Sequence, residues 1–179
     1  MTAGARTGTA RVATGEPFAV DVAAAGWTIV DLRRAPHLAG TVADRVWRAF
    51  WAADGHPIGE IERRMPAHLG GGPLPFTLVA IRDGAYLGSV ALVANDEPRR
   101  PFLGPWIAAL WVEPGERHQG VGAALVEAAC ARAFGLGVVR LFLGALDGNR
   151  GFYEKRSWTT FEEGVGEPPL TILARDGRR

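Results

Sequence analysis

The chain has 179 residues, the size of one ordinary domain, and 47% of them are apolar, enough to bury a substantial core. A formal charge of +1, with the arginines scattered along the chain, argues against a basic face for nucleic acid, and no apolar run is long enough for a membrane span. The single cysteine, Cys130, cannot build a disulfide framework or a cysteine zinc site within one chain. No metal site is expected, no signal-peptide pattern is present, and a soluble cytoplasmic protein is the expectation.

Residues 1–26 are rich in Thr, Ala and Gly and read as a flexible arm, with Phe18 and Val20 able to pin it to the body. Trp27 to Leu32 is β-branched and aromatic, a first strand. Leu38, Val42, Val46, Ala49 and Phe50 fall on one face of a helix, and Ile58, Ile61 and Met65 suggest a shorter one ended by Pro66. After the glycine loop at 70–72, Phe76 to Ile81 and Tyr86 to Val93 read as two strands joined at Arg82-Asp83-Gly84, an antiparallel hairpin. Asn95 to Gly104 is a loop, and Trp106 to Val112 is apolar throughout, a buried central strand. Val121 to Arg132 has helical spacing and is closed by Gly135-Leu136-Gly137. Val138 to Leu143 is read as a strand, Phe152 to Trp158 as a short helix, Leu170 to Ala174 as a last strand, and 176–179 as a mobile tail. Mixed strands and helices with an early hairpin predict one α/β domain over 27–175, built on a mixed sheet.

The chemistry concentrates where the central strand ends. Arg117-His118-Gln119-Gly120-Val121-Gly122 turns from that strand into a helix, whose first backbone N–H groups lack intrahelical partners and carry partial positive charge. Glycines let a ligand approach that backbone closely, so the turn can cradle phosphate. The spacing departs from a dinucleotide fingerprint, because Leu125 stands where a third glycine belongs and no acidic residue follows about 20 positions on. A Walker loop is excluded because the chain has no Gly-Lys-Ser or Gly-Lys-Thr.

The same run resembles the acyl-CoA-binding motif of the GNAT acyltransferase superfamily, Gln/Arg-x-x-Gly-x-Gly/Ala, matched by Arg117, Gly120 and Gly122. Val112-x-Pro114 before it and Phe152-Tyr153-Glu154-Lys155-Arg156-Ser157-Trp158 after it resemble further segments of that family, although Ser157 stands where glycine is usual. The resemblance implies a single GNAT-like domain with a mixed sheet of about six to seven strands flanked by helices, and a splayed strand pair that binds acyl-CoA. It implies acetyl-CoA as the acyl donor, with His118, Gln119, Gly120, Val121, Gly122 and Ala123 around the pyrophosphate. Leu110, Trp111 and Val112 would face the pantetheine arm, and so would Asn149, which stands four residues before Tyr153 where many members place an asparagine seven before it.

Tyr153 matches a tyrosine that stands near the CoA sulfur in many members, where a phenol can protonate or hydrogen-bond the leaving thiolate. No base is unambiguous: the central strand carries none, and Glu113, Asp96 and Glu97 are the acidic candidates at its end and in the preceding loop. Trp106, Trp111 and Phe102, or Trp47 and Trp51, could line an acceptor pocket or simply pack in the core. The implied activity is N-acetylation of a primary amine on a small molecule or peptide. The alternative is a non-catalytic acyl-CoA sensor, and the resemblance leaves room for a homodimer.

Overall fold

The computed structural model describes residues 19–22 and 26–177. They form an eight-stranded sheet in the order β1-β2-β3-β4-β5-β6-β8-β7. The strands are β1 Ala19–Val22, β2 Trp27–Asp31, β3 Phe76–Arg82, β4 Ala85–Val93, β5 Trp106–Val112, β6 Arg140–Ala145, β7 Thr159–Val165 and β8 Leu170–Asp176. The helices are α1 Ala39–Phe50, α2 Gly59–Glu62, α3 Met65–Leu69, α4 Val121–Gly135 and α5 Asp147–Glu154.

Strand alternation explains why both faces of the sheet are covered. On β3, Phe76, Leu78 and Ala80 join Ile29, Val90, Leu125 and Ala129 in a cluster under α4, while Val79 between them packs with Val42, Val46 and Ile61 under α1 and α2. Cys130 lies inside the α4 cluster, and burial pushes its thiol up to about 12, so it is a small core residue and not a nucleophile.

Strands β1 to β5 are antiparallel neighbours, as are β6, β8 and β7. The two halves meet at one parallel junction, β5 with β6, which pair only at Trp106 and Phe142. Beyond that pair the strands diverge, and β5 changes from buried to half-buried at Ala109. Ala109 also has left-handed backbone (φ 51°) where the β4–β5 register shifts, a bulge that bends the second half of β5. The splayed pair implied by the resemblance is therefore present.

Several expectations need correction. The sheet has eight strands where six to seven were expected. One addition is β1, inside the expected arm, with Val20 opposite Ile29; Phe18 lies outside the described residues. The other is β7, an exposed edge strand whose Glu162 and Glu163 hide it from a hydrophobicity reading. Pro66 sits in the first turn of α3, where its missing N–H costs no helical bond, instead of ending the previous helix. The strand read at Val138 begins at Arg140, because Val138 and Val139 complete the turn after α4. Helix α5 starts at Asp147 and ends at Glu154, with Trp158 buried ahead of β7.

Candidate active site

The divergence of β5 from β6 opens a cleft of about 670 Å³. One wall is β5, through Leu110, Trp111 and Val112; another is the start of α4, through Gly120, Gly122 and Ala123. Asn149, Phe152 and Tyr153 of α5 face them, and Ala49 and Phe50 close the end nearest α1. Left-handed backbone at His118 (φ 62°) and Gly120 (φ 86°) makes the tight entry into α4.

Gly120 caps the helix without a side-chain hydrogen bond, and its carbonyl accepts from the Ala124 N–H at 3.0 Å. The amides of Val121, Gly122 and Ala123 therefore have no acceptor within the helix. The two glycines serve different ends: Gly120 supplies the left-handed turn, whereas Gly122 supplies space. A Cβ on Gly122 would lie 3.4 Å from Val112 Cγ2 and 3.8 Å from Phe152 Cζ, narrowing the gap between β5 and α5.

Cations stand along this cleft. The Arg117 Nε donates to the Val112 carbonyl at 3.0 Å, and its guanidinium lies 4.8 Å from the Trp111 ring centre. Arg156 stacks 3.9 Å from the Phe152 ring centre and donates to the Phe152 carbonyl. Tyr153 packs edge-on to Phe152 at 4.9 Å, and burial raises its phenol to about 12. It is a neutral hydrogen-bond donor throughout the physiological range. The buried Trp111 Nε1 has no hydrogen-bond partner among the described residues.

A second cavity, about 90 Å³, lies on the α1–α3 side of the sheet. Its walls include Val42, Val46, Ile61, Met65, Ala91 and Ala108, with Arg64, Trp51 and Asp96 also lining it. Ala109 borders this chamber and Leu110 borders the cleft, so consecutive residues of β5 face the two spaces. Inside it, His68 Nδ1 and Thr77 Oγ1 are 2.8 Å apart, and Ser89 Oγ is 2.8 Å from the Tyr86 hydroxyl. Burial holds His68 below the usual imidazole range, with the charge of Arg33 and Arg64 acting the same way against a contact to the Phe76 backbone. Asp96 is exposed at the rim of this chamber, with protein packed on one side of it; that partial burial and Glu97 raise its carboxyl, with Arg64 opposing them.

Residues 41–158 match the family model described as the acetyltransferase (GNAT) family. The chain belongs to that family. Membership makes it an N-acetyltransferase with acetyl-CoA as its acyl donor. No curated protein matches the acetyltransferase significantly. Its fold is similar to an aminoglycoside 6'-N-acetyltransferase complexed with coenzyme A, at 17% identity and a TM-score of 0.65, over 83% of this chain and 96% of that one. It is also similar to an acyl-CoA N-acyltransferase from Pseudomonas aeruginosa, at 22% identity and a TM-score of 0.60, over 83% and 97%. A GNAT-family acetyltransferase from Streptococcus pneumoniae gives 17% identity and a TM-score of 0.64, over 84% and 98%. No helix among the described residues is long and apolar enough to cross a membrane.

The cleft fits such a donor, since uncapped amides at one end suit a diphosphate and the unpaired edge of β5 suits an amide-bearing arm. Of the residues singled out in the sequence, Leu110, Trp111, Val112, Arg117, His118, Gly120, Gly122, Ala123, Asn149 and Tyr153 all line it. Gln119 lies in the same turn, where its amide Nε2 donates to the Gly115 carbonyl at 3.0 Å, and Val121 is buried beneath. Asn149 and Tyr153 lie one turn apart on α5.

The acidic candidates separate. Glu113 lines neither cavity, and Oε1 accepts from Arg45 Nε of α1 at 2.5 Å. Glu97 turns back onto its own loop, accepting the Arg99 N–H at 2.8 Å. Asp96 alone of the three reaches a cavity. Trp106 is core and Phe102 is 98% exposed, so neither lines a cavity; Trp51 lines the smaller one, whereas Trp47 spends its indole N–H on the His56 carbonyl. Arg156, Arg64 and His68 escaped the sequence reading. Arg156 directly follows the motif tyrosine's helix, a basic position that could have been flagged; the other two carry no local signal.

Proposed function

We propose that the protein transfers the acetyl group of acetyl-CoA to a primary amine of a small molecule, using the β5–α4–α5 cleft for the donor. The observation that carries this reading is the divergence of β5 from β6 beside an uncapped helix start, with Tyr153 on the facing wall.

The donor supplies an activated thioester, and the residues of this chain bind and orient it. The amides of Val121, Gly122 and Ala123 hold the diphosphate, with Arg117 and Arg156 adding positive charge beside it. The exposed edge of Leu110, Trp111 and Val112 bonds the pantetheine arm, and Asn149 adds a side-chain contact. Tyr153 directs its hydroxyl to the departing sulfur. Its pKa of about 12 decides the form of that help. A phenol kept neutral by burial donates a hydrogen bond to that sulfur as negative charge builds on it. Asp96, crowded and raised, attracts the ammonium and accepts a proton as the amine enters, a role that Glu113 leaves to it by its bond to Arg45.

Thermal unfolding with and without acetyl-CoA, with NAD and ATP as controls, tests the reading. At 100 times its dissociation constant a ligand stabilises by about 2.7 kcal/mol, which for a chain of this size raises Tm by roughly 5–10 °C. A rise with acetyl-CoA alone is the expected result. No rise at millimolar acetyl-CoA would remove the donor assignment.

A further inference from the structure

We propose that the chamber between α1, α2, α3 and strands β3 to β5 binds a small α-amino acid with an aliphatic side chain, whose α-amine is the group acetylated. The proposal rests on the acetyl-transfer reading above and names its acceptor.

Size is the first argument. About 90 Å³ holds roughly six water-sized groups. A branched four-carbon side chain fills it, whereas the hydroxylated rings of an aminoglycoside would have to stay outside it.

Polarity is the second. Val42, Val46, Ile61, Met65 and Ala108 make the walls apolar. The interior polar groups are already matched, His68 with Thr77 and Ser89 with Tyr86, so they make no demand for a hydroxylated guest.

Charge is the third. The two ionised side chains among the lining residues have opposite sign, Arg64 and Asp96, and both remain solvent-reached. Arg64 lies 4.6 Å from the Trp51 ring centre, and no ion pair joins it to a carboxylate among the described residues. An amine alone would satisfy Asp96 and be repelled by Arg64. An α-amino acid offers a carboxylate to Arg64 and an ammonium to Asp96 while its side chain enters the apolar space.

Position is the fourth. Ala109, at the bulge of β5, borders the chamber, and Leu110 borders the donor cleft, so the two spaces meet β5 at consecutive residues.

The chemistry balances. The ammonium loses one proton, taken by Asp96 and passed to solvent; the nitrogen lone pair then forms the amide bond to the acetyl carbon. The carbon–sulfur bond breaks, its electron pair leaves with sulfur, and a second amine proton ends on the free thiol.

The test is thiol release from acetyl-CoA with L-leucine, with 3-methylbutylamine (leucine without its carboxylate) and with kanamycin, in the wild type and in Arg64→Gln. The wild type is expected to favour leucine over 3-methylbutylamine by at least about tenfold in kcat/KM, the scale of one charge-assisted hydrogen bond, with no turnover of kanamycin. Arg64→Gln raises the KM for leucine about tenfold and keeps kcat, whereas the KM for 3-methylbutylamine does not rise and falls as the repulsion is removed. Preference for 3-methylbutylamine or kanamycin, or an Arg64→Gln variant that handles leucine like the wild type, overturns the proposal. If acetyl-CoA raises Tm but none of the three amines releases thiol, the amino-acid proposal falls and the donor assignment stands. If acetyl-CoA fails to raise Tm, the donor assignment has failed first, and the acceptor proposal falls with it.

Discussion

Gly122 and Tyr153 carry separable parts of the proposed donor site. Gly122 is a matter of space, because its missing Cβ leaves open the gap bounded by Val112 and Phe152. Gly122→Val is expected to abolish the acetyl-CoA-induced rise in Tm while changing the unliganded Tm little, since the branch projects into the cleft and not into the core. A calorimetric scan with and without donor reads both. Tyr153 is a matter of one hydrogen bond. Tyr153→Phe is expected to lower kcat by roughly tenfold, about 1.4 kcal/mol, and leave the KM for acetyl-CoA unchanged. A thousandfold loss in steady-state kinetics would mean that the phenol transfers its proton outright, against the raised pKa that burial imposes.

Helix α4 begins at the proposed anion cradle, so what anchors the helix sets the geometry of that site. Its buried side chains pack on β3 to β5, and at its far end Arg132 bonds the buried Asp31 at the end of β2 at 2.5 Å, stacking 4.1 Å from the Phe76 ring centre. Asp31 also accepts the Arg33 N–H at 2.9 Å, so its carboxylate is shared between the helix and the turn after β2. Removing the helix partner leaves a buried charge short of compensation. Arg132→Met is expected to cost about 3 kcal/mol in urea unfolding, and adding Asp31→Asn to recover a large part of it. Equal, additive losses would show that the pair is not coupled.

Across the whole molecule, the sheet is two antiparallel halves joined by one parallel contact, and the proposed donor site is the fault between them. Hydrogen exchange with acetyl-CoA present is expected to slow at Leu110 to Val112 and at Val121 to Ala123. The β3–β4 hairpin, already paired along its length, is expected to be unchanged. Protection spread evenly over the sheet would argue for global tightening in place of a ligand in the fault.

The parts of the site that the sequence determined are those contiguous in the chain. A strand end, a turn and a helix start with Gly120 and Gly122 read as a phosphate cradle because all of its groups are backbone amides of one short run, and that run lines the cleft. Tyr153 was readable because its motif surrounds it. The edge strand β7 was not, since Glu162 and Glu163 face solvent there and erase the apolar alternation. The chamber proposed for the acceptor was illegible for a stronger reason: Val42, Ile61, His68, Thr77, Ser89, Asp96 and Ala108 come from α1, α2, α3, β3, β4, the following loop and β5. Each is unremarkable in its local context. Only packing of the helices on the sheet sets an apolar space beside Arg64 and Asp96, and only there did Glu113 find Arg45 and leave Asp96 as the acid at the chamber.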